Sequence, residues 1–230
     1  MVAGSEYHSP MTLRLVSPTL PVVYVVDDDI SVRESLQTLI QEEGLGVSVF
    51  ASAEEFLARP VSSVPSCLVL DVYLPDLNGL ELQKRISGEQ PDMPIIFITG
   101  HGDIPMTVQA MKAGAVEFLT KPFADHVLLK AVRAAIDRST AHHARNEELQ
   151  ALKARYARLT PREREVMALV VIGLLNKQVA DELHISEVTV KAHRGCLMRK
   201  MKANSFAELV NMAGRLRLKR PPASPIAAAR

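Results

Sequence analysis

Residues 22–30 read VVYVVDDDI, which joins an apolar run directly to a cluster of charge. Five apolar or aromatic residues in succession predict a buried β-strand. Three carboxylates, Asp27, Asp28 and Asp29, follow at once. Because like charges repel and are costly to bury without a compensating cation, their position at the end of a core strand predicts a binding site.

Four further runs of β-forming residues follow this strand, and helical patterns separate them. The runs are VSVF (47–50), CLVLDV (67–72), PIIFIT (94–99) and VEFLT (116–120). Strands that alternate with helices in this way predict an α/β fold with a parallel sheet. We therefore expect a five-stranded parallel, doubly wound, flavodoxin-like sheet, followed by an all-α domain, since no strand pattern remains after residue 159.

The charge of the chain is unevenly distributed between its halves. The whole chain carries a formal charge of +1, but residues 21–124 hold 6 Lys/Arg against 15 Asp/Glu. Residues 158–220 hold 13 Lys/Arg against 6 Asp/Glu. An acidic half joined to a basic half predicts two domains with different partners, of which the basic one faces a polyanion.

The composition disfavours membrane and secreted classes of protein. The richest apolar run, ALVVIGLL (168–175), is far shorter than the roughly 18 residues that suggest a membrane span. Residues 1–20 lack the apolar segment of a signal peptide, so we expect a mobile tail and a cytoplasmic location. Cys67 and Cys196 have no metal-ligand spacing, which suits a reducing compartment.

Polar residues follow four of the predicted strands where each strand ends. They are Asp27 and Asp28, then Asp71, Thr99 and Lys121. In an open parallel sheet these strand ends meet at one edge, where ligands bind. Clustered carboxylates suit Mg²⁺, and a carboxylate, a hydroxyl and an ammonium beside it suit phosphoryl transfer to an aspartate. The alternative is a set of helix-capping aspartates, as we expect for Asp29, and a surface lysine.

The first half resembles the receiver domain of two-component response regulators over about residues 21–135, and we expect a receiver domain at 21–137. The similarity rests on VVDDD, LVLDVYLPDLNGLEL, FITGHGDIPMTVQAMKAGA and EFLTKPF. The resemblance implies that Asp71 is the phosphoacceptor and that Asp27, Asp28, Asp71 and the Tyr73 carbonyl hold Mg²⁺. It also implies that Lys121, before a cis Pro122, contacts the phosphoryl group, and that Thr99 and Phe118 form a switch pair.

The second half reads as helices, and two of them are separated by a tight turn. The turn is HIS (184–186), between NKQVADEL (176–183) and EVTVKAHRGCLMRKM (187–201). This order predicts a helix-turn-helix whose second helix enters the major groove of DNA. We expect Lys191, Arg194 and Arg199 to face DNA, Lys177, Lys200 and Lys202 to contact phosphates, and Val188, Val190 and Leu197 to pack internally. Gly195 indicates either close approach to DNA or tight helix packing.

Residues from about 159 to 213 resemble the LuxR-type helix-turn-helix output domain, and we expect that domain at 158–215. The similarity covers LTPREREVMALVVIGLLNKQVADELHISEVTVKAHRGCLMRKMKANSFAELV. It implies a four-helix domain that binds double-stranded DNA as a dimer. The exposed candidates by position are Glu187, Thr189, Lys191, Ala192, His193 and Arg194; His193 is either a phosphate contact or a packing residue. We expect a helical linker at 138–157 and a disordered tail at 216–230, and a helical protein-interaction module is the alternative.

Together the two resemblances imply a FixJ-like response regulator. Its expected partners are a sensor histidine kinase, DNA, a second copy after phosphorylation, and RNA polymerase, with no membrane contact and no enzymatic role. One rival is a phosphorylation-independent regulator with a vestigial receiver. The other is a Mg²⁺-dependent phosphohydrolase of the haloacid-dehalogenase type, which places a second Asp two residues after the nucleophile. Here that position holds Tyr73.

Overall fold

The computed structural model describes residues 20–218. Nearly all of the predicted tails, 1–20 and 216–230, therefore lies outside the described residues. These residues form two compact units, which divide between His143 and Ala144. None of the helices in the described part of the chain combines the length and apolarity that a membrane crossing requires.

The first unit alternates strands and helices as the sequence predicts. Its strands are β1 (Val22–Val26), β2 (Gly46–Phe50), β3 (Ser66–Asp71), β4 (Ile95–Thr99) and β5 (Glu117–Thr120). Its helices are α1 (Ile30–Glu42), α2 (Ala53–Ala58), α3 (Gly79–Glu89), α4 (Ile104–Lys112) and the first part of α5 (Asp125–Ala157). The predicted linker helix, 138–157, is thus continuous with α5.

The five strands form one parallel sheet in the order β2-β1-β3-β4-β5, which confirms the predicted fold class. Alternate strand residues point to opposite faces, so each face has its own core. Val25, Val69 and Ile98 pack on one face with α1 and α5 residues. Val26 and Leu70 pack on the other face with residues from α2, α3 and α4.

The strand order brings the carboxyl ends of β1 and β3 side by side. Val26 of β1 pairs with Leu70 of β3, so the next residues, Asp27 just after β1 and Asp71 at the end of β3, lie at neighbouring positions. From β1 the chain turns to β2 on one side, whereas β3, β4 and β5 follow on the other. This reversal makes a crevice at the strand ends, the usual ligand position in such sheets.

The second unit is helical. After the end of α5 it holds α6 (Pro161–Val170), α7 (Asn176–Leu183), α8 (Glu187–Met201) and α9 (Phe206–Arg215). A single core joins these helices, and Leu152 from α5 is buried in it. Leu216 and Leu218 also pack against this core, so residues 216–218 belong to the folded unit and not to the predicted disordered tail.

Local signals explain where these helices begin. Thr160 and Glu163 form a complete capping box at the start of α6. The turn between α7 and α8 contains His184 in the left-handed conformation (φ 53°), followed by Ser186, whose hydroxyl caps α8. The helix-turn-helix order is therefore present where the sequence predicts it.

Candidate functional site

A lysine and two aspartates meet at the carboxyl edge of the sheet. The Nζ of Lys121, which follows β5, lies 2.6 Å from Oδ2 of Asp27 and 2.6 Å from Oδ2 of Asp71. Asp27 is fully buried and Asp71 is nearly so, whereas the Lys121 side chain stays about a quarter exposed. The peptide between Lys121 and Pro122 is cis, as predicted. The structure thus joins residues that are 50 and 94 positions apart.

Burial and pairing act against each other in this cluster. Burial raises the pKa of Asp27 above its ordinary value, although hydrogen bonds from Lys121 and from the Asp29 N–H favour its charged form. Burial alone would lower the pKa of Lys121, but its hydrogen bonds to Asp27 and Asp71 outweigh that effect and raise it. The ammonium is therefore held charged at the mouth of the crevice.

Three carboxylates in this edge are close enough to share a cation. One oxygen from each of Asp27, Asp28 and Asp71 lies within 4.8 Å of the others. Oxygen donors of this kind fit a hard divalent ion such as Mg²⁺. Tyr73, whose carbonyl is the predicted fourth ligand, donates its N–H to Oδ1 of Asp71 at 3.0 Å. The Asp29 carboxylate is not part of this cluster. It accepts the Ser31 N–H and caps α1, as predicted.

The predicted switch residues lie beside this cluster, on β4 and β5. The buried Thr99 hydroxyl is hydrogen-bonded within the next loop, accepting from the His101 N–H at 3.2 Å and donating to the His101 carbonyl at 3.3 Å. Phe118 is half-buried, with its ring centroid 6.1 Å from that of Phe97. The Thr99 hydroxyl is thus engaged by its own loop and not by Asp71.

Two glycines shape the site more than the sequence suggests. A Cβ on Gly79 would lie 2.6 Å from the Asp71 carbonyl oxygen, so α3 approaches the end of β3 too closely for any side chain. A Cβ on Gly102 would lie 3.1 Å from the Phe118 ring and 2.9 Å from Thr120. No signal in the sequence predicted either close approach, because each depends on how separate elements pack in the folded chain.

Arg33 also supports the site, although no feature of the sequence predicted this role. Its Nη1 donates to the carbonyls of Asp27 and Asp28, at 2.6 Å and 2.9 Å. These bonds fix the backbone that carries both acidic side chains. A groove of about 710 Å³ opens beside this region and is lined by residues of α1 and by Lys121, Pro122, Phe123 and Asp125.

The second unit presents a mixed surface on α8. Of the predicted DNA contacts, Glu187, Lys191, Ala192 and Arg199 are exposed, as is Lys177 on α7. Thr189, His193 and Arg194 are half-buried. The Thr189 hydroxyl lies 2.8 Å from the Ser186 hydroxyl, which ties it to the cap of its own helix.

Two basic residues predicted to contact DNA have partners inside the unit. Arg194 donates to Oδ1 of Asn176 at 2.6 Å and lies over the ring of Phe206. Lys200 donates to both oxygens of the buried Glu163, at 2.7 Å and 2.9 Å. Both side chains are thus engaged by residues of neighbouring helices, and their contacts with DNA stay a prediction.

Two other expectations for α8 are resolved by its packing. Val190 and Leu197 are fully buried, as predicted, but Val188 is 75% exposed, so its predicted packing role is wrong. Among the described residues, no neighbouring helix or side chain lies within 4 Å of the position that a Cβ on Gly195 would take. Tight helix packing therefore does not explain this glycine.

Comparison with known proteins agrees with both halves of the chain. The family described as response regulator receiver domain matches residues 23–133, and the luxR family of bacterial regulatory proteins matches residues 157–213. The chain is a response regulator with a LuxR-type DNA-binding domain. It is a transcription factor of two-component signalling, and this confirms the function predicted from the sequence.

Individual relatives cover nearly the whole response regulator. Nodulation protein W of Bradyrhizobium diazoefficiens is 52% identical over 195 residues, which is 85% of this chain and 86% of the relative. TodT of Pseudomonas putida is 45% identical over 212 residues, 92% of this chain and 93% of the relative. The solved structure of the response regulator StyR is 44% identical, covers 85% of this chain and 99% of that one, and gives a TM-score of 0.77.

Proposed function

We propose that this response regulator accepts a phosphoryl group on Asp71 from a sensor histidine kinase in the cytoplasm. The observation that carries the proposal is the Lys121 ammonium, which is 2.6 Å from the Asp71 carboxylate in a crevice with two further carboxylates. A capping aspartate and a surface lysine would have no reason to meet in this way. The phosphohydrolase alternative is disfavoured because Tyr73, not an aspartate, stands two residues after Asp71.

The reaction transfers the phosphoryl group from an imidazole nitrogen to an Asp71 oxygen. A bond forms between that oxygen and phosphorus, the phosphorus–nitrogen bond breaks, and the imidazole leaves with the electron pair. Lys121 neutralises charge on the transferring group. Asp27, Asp28, Asp71 and the Tyr73 carbonyl would hold Mg²⁺, which supplies further charge neutralisation for the phosphoryl oxygens when bound.

The new charge provides a reason for Thr99 to move. Phosphorylation adds about −1.5 to −2 charge and three acceptor oxygens beside β4. The Thr99 hydroxyl then exchanges its bonds with the His101 backbone, at 3.2 Å and 3.3 Å, for a bond to a phosphoryl oxygen. The Phe118 ring turns inward in response, and this changes the surface formed by α4 and β5.

That surface is suited to pairing with a second copy of the chain. Three apolar residues of α4, at spacings of four and three, leave much of their surface exposed: Ile104 (82%), Val108 (44%) and Met111 (42%). We propose that phosphorylation favours a homodimer through this face. Two recognition helices then reach two DNA half-sites together, which raises affinity through the higher effective concentration of the second helix.

On DNA, the outward residues of α8 meet the major groove, and Lys177 and Arg199 contact phosphates. Such phosphate contacts position the protein without reading sequence. RNA polymerase is the further partner we expect for the bound dimer. Arg194 and Lys200 act inside the domain, in keeping with their bonds to Asn176 and Glu163.

The test is molar mass by light scattering with Mg²⁺, with and without beryllium fluoride as a phosphoryl mimic. Wild type and Asp71→Asn are compared, with Asp76→Asn as a control for loss of a receiver aspartate outside the carboxylate cluster. We expect wild type and the control to shift from monomer to dimer, and Asp71→Asn to stay monomeric. If neither wild type nor control shifts, dimerisation is refuted, and unmasking of the DNA-binding half without dimerisation or a phosphorylation-independent regulator becomes the better interpretation.

A further inference from the structure

A continuous stripe of exposed residues runs along α8 at helical spacing. Its members are Val188, Lys191, Ala192, Gly195 and Arg199. Residues three and four apart lie on the same side of a helix, so these five form one outward face. The core residues Val190, Leu197 and Met201 occupy the other side. One side of α8 therefore serves the domain, and the other is available to a ligand.

Val188 is the unexpected member of this stripe. A single exposed valine is ordinary on a protein surface and by itself indicates nothing. Val188, however, leaves 75% of its surface exposed in the first turn of the recognition helix, one turn before Lys191. The amino-terminal residues of such a helix are the ones that reach base edges.

The middle of the stripe is unusually flat. Ala192 has one methyl group and Gly195 has no side chain, although glycine in a helix interior is less stable than alanine. The part of the chain that the structure describes leaves open space around Gly195, so internal packing does not require it. A flat strip lets a helix backbone lie close to another surface, and Lys191 and Arg199 give that strip a positive charge.

We propose that Val188 reads a thymine in the operator through contact with its C5-methyl group. This inference rests on the proposed DNA binding. The valine side chain cannot donate or accept a hydrogen bond, and the thymine methyl is the apolar group that unmodified base pairs present in the major groove. Its neighbour Thr189 is less suited to the task, because its hydroxyl lies 2.8 Å from that of Ser186.

The experiment removes the methyl groups of Val188 and the C5-methyl group of thymine separately. The full wild-type chain, with Mg²⁺ and beryllium fluoride, first selects an operator from random double-stranded DNA. Each thymine is then replaced by deoxyuridine, which lacks only the C5-methyl, and Kd is measured for wild type, Val188→Ala and Val188→Thr. Val61→Ala is the matched control, since Val61 is 69% exposed but lies in the receiver.

We expect deoxyuridine at one position per half-site to raise the Kd of wild type and of Val61→Ala about four-fold, because one buried methyl group is lost. Val188→Ala is expected to bind the intact operator more weakly and to be insensitive to deoxyuridine at that position. Val188→Thr, which keeps the shape, should lose part of that sensitivity.

Two results would overturn the inference in different ways. If Val188→Ala keeps every deoxyuridine effect of wild type, or binds the operator equally well, Val188 does not read a methyl group even though DNA is bound. If the wild-type chain selects no sequence, the proposed DNA recognition fails, and this inference fails with it.

Discussion

Lys200 gives the sharpest test, because its two interpretations predict opposite outcomes. The sequence assigned it to DNA phosphates, whereas the structure pairs its ammonium with Glu163 at 2.7 Å and 2.9 Å. The same carboxylate accepts the Thr160 N–H at 2.8 Å and completes the cap of α6. We therefore expect Lys200→Met to destabilise the helical unit and to leave its contacts with DNA phosphates unchanged.

The magnitude follows from how much of the pair is buried. The Glu163 side chain is 5% exposed and that of Lys200 is 34% exposed, so losing Lys200 leaves a buried carboxylate that water reaches only partly. A hydrogen bond to a charged group contributes about 1.5–3 kcal/mol, and breaking a fully buried pair costs about 3–5 kcal/mol. Because this pair is partly hydrated, we expect Lys200→Met to lower the free energy of unfolding by about 2 kcal/mol. Glu163→Gln should cost about 1–2 kcal/mol, since its amide oxygen still accepts the Thr160 N–H.

The loss should also depend on pH in a defined direction. Burial alone would raise the pKa of Glu163, but Lys200 and the Thr160 N–H together hold it below its ordinary value of 4.5. A carboxylate whose folded pKa is lowered stabilises the fold above its unfolded pKa, and this stabilisation is lost as pH falls through the folded pKa. The difference between wild type and Glu163→Gln should therefore be full at pH 7 and shrink below about pH 4.5.

The assay is amide hydrogen exchange of the full chain by mass spectrometry, read from peptides of α6 and α8. Lys191→Met is the matched control, because it removes an exposed charge from the same helix. The control should change stability by less than about 0.5 kcal/mol but should lower the salt-dependence slope of DNA binding by about one. The pairing argument would be refuted if Lys200→Met kept the stability of wild type and lowered the salt-dependence slope of DNA binding.

Three other expectations can be checked directly. Gly195→Ala should stabilise the helical unit by about 1 kcal/mol in urea denaturation yet weaken operator binding; a loss of stability would mean that the open space around Gly195 is misjudged. Cys67, whose pKa burial raises to about 12, should resist a thiol reagent in the folded chain, whereas the half-buried Cys196 reacts, and equal labelling would contradict this order. Gly79→Ala should cost about 1–3 kcal/mol and weaken beryllium fluoride binding, because its Cβ would meet the Asp71 carbonyl at 2.6 Å; an unchanged midpoint would show that α3 moves freely.

Much of the receiver was readable because its signals are local. The strands β1, β3 and β4 are largely continuous apolar runs, since helices cover both faces of the sheet, and polar residues stand at the ends of four of the five strands. Parallel pairing then brings those ends to one edge, which predicts that Asp27, Asp71 and Lys121 lie close together. Asp29 was assigned as a cap because a helix cap is defined by backbone N–H groups only two or three positions away.

What the sequence did not reveal are contacts between elements that are distant along the chain. Val188 and Val190 are both valines on one helix, yet one is 75% exposed and the other fully buried, a difference set by where α8 rests on the core. Lys200 and Lys191 are likewise similar in sequence, but only Lys200 lies opposite a buried carboxylate.

The sequence by itself determined the order of the elements, the family and the residues that gather at the strand ends. Periodicity, capping and strand-end chemistry depend on neighbours along the chain, and these are written in the sequence. The tertiary structure alone decided which basic residues are paired, which valine is exposed and which glycines lie too close to other residues to carry a side chain. Those properties depend on the distance between side chains of different helices, and residue type does not encode that distance.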